Sequence, residues 1–136
     1  MDLDEEYEKL DALEVKILEQ NEEVKKIIST QNSASKTITF GGVEIKIRAY
    51  MPRAVRLKIM KAGNDLKSVK TEKELRAIEK RLYPIISEMC MEKPYTDPKT
   101  WHVIDVKTSA IQEVLFKIVS EVTQTDEAIK SFRNKQ

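Results

Sequence analysis

The residues best suited to catalysis are few. His102 is the only histidine and Cys90 the only cysteine among 136 residues. One histidine leaves no partners for a His-rich metal site, and one cysteine allows neither an intrachain disulfide nor a thiolate cluster. His102 stands beside Trp101 near the end of a loop and reads as a structural or surface residue. Cys90 falls in the row Ile86, Met89, Cys90 and reads as a small core residue, because nothing near it in the sequence would stabilise a thiolate. The carboxylates are plentiful but interleave with Lys and Arg at helical spacing, the pattern of solvated faces. No phosphate-cradling glycine loop and no EF-hand pattern occurs, and Gly41-Gly42 belongs to a turn. The sequence points away from an enzyme and implies no cofactor and no metal.

Binding is the other chemistry on offer. Between Lys36 and Lys70 there are nine bases (Lys36, Lys46, Arg48, Arg53, Arg56, Lys58, Lys61, Lys67, Lys70) against Glu44 and Asp65. Such a segment, 36–70, could neutralise phosphates in a small nucleic-acid-binding regulator. Against this, the bases scatter around a helix, the only aromatics in the segment are Phe40 and Tyr50, and no reading helix or RNP-type motif follows. The alternative is a basic face that complements an acidic partner.

An acidic segment lies in the same chain. The formal net charge is +1, yet residues 1–28 hold ten carboxylates against four lysines, a net of −6, and the remainder carries the compensating positive charge. Here Leu3, Leu10, Ile17 and Val24 recur every seven residues, with Leu13 and Ile27 three beyond two of them. The spacing predicts an amphipathic helix, interrupted in its stripe by Gln20 and Asn21. It can lie on its own domain, on a copy of itself or on a foreign partner. "STQNSASK", 29–36, is polar and predicts a flexible link.

Two alternating runs then flank Gly41-Gly42 in "TITFGGVEIKIR", which predicts a β-hairpin with a two-residue turn. Phe40 should face Val43, Ile38 should face Ile45, and Ile47 should continue the apolar row, while Thr39, Glu44, Lys46 and Arg48 point to water. Its outer edges are expected to be free for pairing. A helix should start at Pro52 and run to Ala62, stopped by Gly63-Asn64, with Val55, Ile59 and Ala62 inward, Leu57 and Met60 beside them, and Arg53, Arg56, Lys58 and Lys61 exposed. Thr71 and Glu74 sit at capping-box spacing ahead of a helix with the stripe Leu75, Ile78, Leu82, Ile85 and Met89, which Pro84 should bend or break. "KPYTDPKTW" is a break with a capped short turn. The next helix, "DVKTSAIQEVLFKIVSEV", has Ile111, Leu115, Ile118, Val119 and Val122 as its core face, and Thr125 should cap a last helix carrying Ile129 and Phe132.

The chain therefore reads as α+β and predominantly helical: an acidic N-terminal helix, one hairpin, then about four helices. The expected division is an amphipathic arm over 1–30 and a single domain over 37–132, with no repeats. The acidic start lacks the features of a secretory signal and no apolar run approaches a membrane span, so a cytoplasmic protein with no membrane contact is expected.

The order of these parts resembles the tail assembly chaperones of long-tailed bacteriophages. The likeness rests on the acidic helix, "ITFGGVEIKIRAYMPRAVRLKIMKA", helices around "MCMEKPYTDPKTWHVID", and a final "AIQEVLFKIVSEVTQTDEAIKSF", and it covers residues 37–132. It implies a noncatalytic protein that coats and solubilises the long helical tape measure protein, assists tail tube assembly, self-associates and acts in the bacterial host cytoplasm without entering the mature virion. It also implies that this chain corresponds to the shorter of two frameshift products. The arm before the hairpin is not universal in that family. The apolar residues assigned to partner binding are Leu10, Leu13 and Ile17 of the arm and Ile38, Phe40 and Ile45 of the hairpin, the hairpin three also fitting a purely core role. A structural connector or tail completion protein is the remaining alternative.

Overall fold

The computed structural model describes residues 9 and 11–134, with 124–134 described by backbone alone. Within them lie six helices and one two-stranded antiparallel hairpin, so the fold is α+β and predominantly helical. The chain divides into two compact units at Ser33 and Ala34.

The first unit holds α1 (Ala12–Glu19) and α2 (Glu22–Ser33). The single helix expected here is two, because a polar side chain restarts the backbone. Asp11 Oδ1 accepts from the Glu14 N–H at 2.8 Å to open α1, and Asn21 Oδ1 accepts from the N–H groups of Glu23 and Val24 at 3.0 and 3.2 Å to open α2. The expected flexible link is also corrected. Residues 29–33 are the last turns of α2, with the Ser33 hydroxyl donating to the Thr30 carbonyl at 3.1 Å. Side chains that compete for backbone bonds in a loop can make the same bonds on a helix.

The second unit opens with the hairpin, β1 (Ser35–Phe40) and β2 (Val43–Arg48). Its register pairs Phe40 with Val43, Ile38 with Ile45, and Lys36 with Ile47. Gly41 and Gly42 turn with φ of 59° and 79°, the left-handed values that glycine adopts without the cost a Cβ brings. The expectation of free outer edges is overturned. On the β2 side Met91 N–H donates to the Lys46 carbonyl at 3.1 Å and Ile47 bridges to Cys90. On the β1 side Lys117 Nζ donates to the Thr39 carbonyl at 2.9 Å, and Lys36 Nζ reaches the Glu121 carbonyl at 2.9 Å. A short chain segment pairs with the β2 edge, and the Lys117 ammonium takes one β1 carbonyl that another chain would otherwise use.

Four helices cover the hairpin's apolar face: α3 (Arg53–Lys67), α4 (Glu72–Met89), α5 (Pro98–Thr108) and α6 (Ile111–Asn134). α3 runs past Gly63 instead of stopping there, because its last turns have partners: Leu66 packs against the core and Asp65 Oδ2 meets Arg81 Nη1 at 2.7 Å. Pro84 does not end α4. Tyr83, Ile85, Ile86 and Met89 on both sides of it are buried, and burial of each large side chain is worth about 1.5–3 kcal/mol, enough together to outweigh a missing hydrogen bond. The helix expected from Asp105 is two, since Ser109 takes a left-handed φ of 56° between α5 and α6. The separate last helix from Thr125 is part of α6, whose backbone runs unbroken to Asn134. α4 is the central element and touches α3, α5 and α6. Leu82, Ile86 and Met89 meet Ile47, Trp101, Ile111, Val114 and Ile118 in one core.

Candidate partner-binding surfaces

In the first unit no residue of α1 or α2 is buried. Leu13 and Ile17, at 67% and 61% exposed, stand where the sequence assigns partner binding, and Leu18 and Ile27 join them in the open. Exposed Glu14, Glu19, Glu22 and Glu23 lie between these apolar residues. Leu10 lies outside the described residues. An amphipathic unit whose own helices bury nothing lacks the main stabilising term of a folded domain.

In the second unit the hairpin residues have a different place. Ile38 and Ile45 are 3% and 2% exposed and sit in the core, and Phe40 packs partly against it. They hold the hairpin to α6 and α4, and their apolar surface is already covered. The assignment of Ile38 and Ile45 to partner binding therefore gives way to a core role, since a side chain sealed on both sides offers no contact area.

The basic segment is partly spent within the fold. Besides Lys36, Arg48 Nε donates to the Glu88 carbonyl at 2.8 Å, and Lys58 Nζ lies 3.8 Å from Glu88 Oε2. Arg56 lines two shallow grooves beside α3, and Arg53 lines one of them. One, of about 360 Å³, is bounded by Met51, Arg53, Arg56 and Leu57. The other, of about 270 Å³, lies against α6 and adds Ile59, Met60 and Val119. Leu57 and Met60, expected beside the inward row, are 56% and 59% exposed. They are three residues apart on the side of α3 opposite Val55 and Ala62, a second apolar row that was readable as such in the sequence but was masked by the stronger inward stripe.

A further feature was not foreseen. Asp105 is buried on α5, its Oδ2 accepting from the Tyr83 hydroxyl at 2.5 Å and lying 3.6 Å from Arg76 Nη1, while Oδ1 has no partner. Burial, then the hydrogen bond to Asp105, pushes the Tyr83 phenol up to about 12. The signal was present in the sequence, because Asp105 falls one turn after Trp101 on the same helix face. His102 is exposed, its ring 5.4 Å from that of Tyr83 in an edge arrangement.

Cys90 is the opposite of an activated nucleophile. Burial alone pushes its thiol up to about 12, because a thiolate there would lose its water. In the folded protein at pH 8 a thiol reagent is therefore expected to react with Cys90 at least about 100-fold more slowly than after unfolding in urea. Ellman's reagent followed with and without denaturant checks this, and equal rates would contradict the buried placement.

Among the described residues no group of three or more His, Cys, Asp or Glu could hold a metal ion, and no helix is long and apolar enough to cross a membrane. No family model, curated protein or solved structure matches this chain.

Proposed function

We propose that this protein is a noncatalytic tail assembly chaperone of the long-tailed phage type, which binds the helical tape measure protein, keeps it soluble and assists tail tube assembly in the host cytoplasm without entering the mature virion. The observation that carries the reading is the acidic arm, whose α1 and α2 bury nothing and expose Leu13, Ile17, Leu18 and Ile27 between carboxylates. A long helical client offers apolar stripes of the same kind, and docking of amphipathic helices on apolar surface is a general recognition mode. The carboxylates keep the loaded complex soluble. The order of parts that resembles the chaperone family supports the same reading, and the deeply buried Cys90 suits a protein without nucleophilic chemistry.

The test is co-expression with the tape measure protein of the same genome, followed by size exclusion with light scattering. The expected result is a soluble client that elutes with several copies of this protein. A client that stays in the pellet, together with binding of this protein to DNA that falls steeply with salt, would move the assignment to the basic segment 36–70. Presence of the protein in purified virions would move it to a connector or tail completion part.

A further inference from the structure

We propose that the outer edge of β1, together with α6, receives an extended segment of a partner protein, which adds to the hairpin as a third strand. This site uses neither the arm nor a helical client, so it can fail without the chaperone reading failing. The hairpin register shows which backbone groups are on offer. Phe40 pairs with Val43 across the two-residue turn, so Lys36, Ile38 and Phe40 turn their N–H and C=O groups toward β2, and Ser35, Thr37 and Thr39 turn theirs outward. Bonds beyond the ladder agree with this alternation. The Ala49 N–H donates to the Ala34 carbonyl at 3.0 Å, and the Lys117 ammonium meets the Thr39 carbonyl on the outer side. Among the described residues β2 is the only strand beside β1. Lys117 occupies one carbonyl only, and a carbonyl has two lone pairs, so a second donor still fits there.

A trough of about 350 Å³ runs along this edge, between Thr37 and Thr39 on one side and Phe116, Lys117, Ser120 and Glu121 of α6 on the other. Phe116 is 71% exposed. An open strand edge with one helix alongside takes up an extended chain by main-chain hydrogen bonds, and the helix side chains select what enters. A row of outward N–H and C=O groups asks for extended backbone, so a helix laid there would leave them unmet. A second copy's β1 is flanked by its own α6, and joining the two edges would force two helices into a space that holds one. This chain's described residues outside its helices are β2 and short links between elements, none placed to lie along β1 as a strand. A lone extended segment of another protein meets none of these obstacles. The lining sets its chemistry. One ammonium and one carboxylate stand among hydroxyls, so the segment is low in net charge, and a nucleic acid finds no row of cations. Phe116 favours an apolar β-branched or aromatic side chain at the alternate positions that face it.

The probe is a fluorescein-labelled, end-capped peptide with the sequence of residues 35–40, SKTITF, which is a strand former with a single charge and no helix beside it. Fluorescence anisotropy with the full-length protein should show saturable binding below about 500 µM. Thr37→Pro removes an outward N–H and no bond of the β1–β2 ladder, a place where an edge strand accepts proline. Ser120→Arg fills the trough from α6 and leaves β1 untouched. Each variant should keep the wild-type circular dichroism and bind the peptide at least about tenfold more weakly. The same peptide with proline at its third and fourth positions lacks a donor on each edge and should not bind. If Thr37→Pro disturbs the fold, Ser120→Arg decides the matter alone. No binding to the wild type at about 500 µM overturns the proposal. So does undiminished binding by Ser120→Arg, or a proline peptide that binds as well as the parent, which would mean apolar adhesion without strand pairing. Light scattering supplies the last arm: a wild-type dimer that Thr37→Pro or Ser120→Arg dissolves would make this edge an interface between copies and would also overturn it.

Discussion

Trp101→Ala is expected to lower the stability of the body by about 3–5 kcal/mol, the range for removing a large aromatic side chain from a packed core. Trp101 is fully buried on α5 and belongs to the core that Leu82, Ile86 and Met89 of α4 build with Ile111 and Ile118 of α6. Its indole Nε1–H donates to the Tyr95 carbonyl at 2.8 Å, and its ring lies 5.7 Å from that of Tyr95. The side chain thus fixes α5 to α4 and also pins the chain between Cys90 and Pro98. Truncation opens a cavity among groups that cannot collapse into it and frees the Tyr95 carbonyl, so two costs add. Trp101→Phe keeps most of the ring volume and loses only the N–H, and should cost about 1–2 kcal/mol. Since small domains hold only about 5–15 kcal/mol in all, the alanine variant should sit near the edge of folding. Urea melts followed by far-ultraviolet circular dichroism are the suitable measurement, because Trp101 is the only tryptophan and its removal abolishes the fluorescence signal. A loss under about 1 kcal/mol would mean that α5 is not packed as described.

Legibility from the sequence followed the range of the interaction. The hairpin was readable to the residue, because alternation and a Gly-Gly turn are local and set the register themselves. The inward rows of α4 and α6 were readable because Ile78, Leu82, Ile85, Ile111, Ile118 and Val122 repeat at helical spacing and are all buried. Helix ends were not. Gly63 and Pro84 are stop signals in isolation and Thr125 a start signal, and each lies inside a continuous helix here. For Gly63 and Pro84 the tertiary contacts of Leu66, Ile85, Ile86 and Met89 are worth more than the local penalty. Of the partner residues, Leu13 and Ile17 stand exposed, whereas Ile38 and Ile45 could have been assigned to the core from the hairpin rule that one face must be covered. The groove beside α3 was out of reach, since it needs Val119 of α6 and Met60, 59 positions apart, to line one space.

Asp105→Ala is expected to cost about 2–3 kcal/mol, because it leaves the buried Tyr83 hydroxyl without its acceptor, while half-exposed Arg76 falls back on water. Tyr83 would keep a buried hydroxyl with no acceptor, and Arg76 would lose the carboxylate 3.6 Å away. Asp105→Asn keeps an acceptor for Tyr83 and gives up only the charge, so about 1–2 kcal/mol is expected. If the network is a matter of satisfying polar groups, then Tyr83→Phe combined with Asp105→Leu should recover most of the loss seen in Asp105→Ala, since an apolar pair of similar volume leaves nothing unpaired. The pH dependence follows the same geometry. Tyr83 is raised from 10.0 to about 12 in the fold, so its contribution is intact below pH 10 and is lost as pH rises from 10 towards 12. Cys90 is raised from 9.0 to about 12 and acts in the same direction from pH 9 upward. Wild-type urea midpoints should therefore fall between pH 9 and 12, and Tyr83→Phe should flatten the part above pH 10 while leaving the Cys90 part in place. A double variant as unstable as Asp105→Ala, or an alkaline profile unchanged by Tyr83→Phe, would show that the Tyr83–Asp105 bond does not connect α4 to α5 in solution.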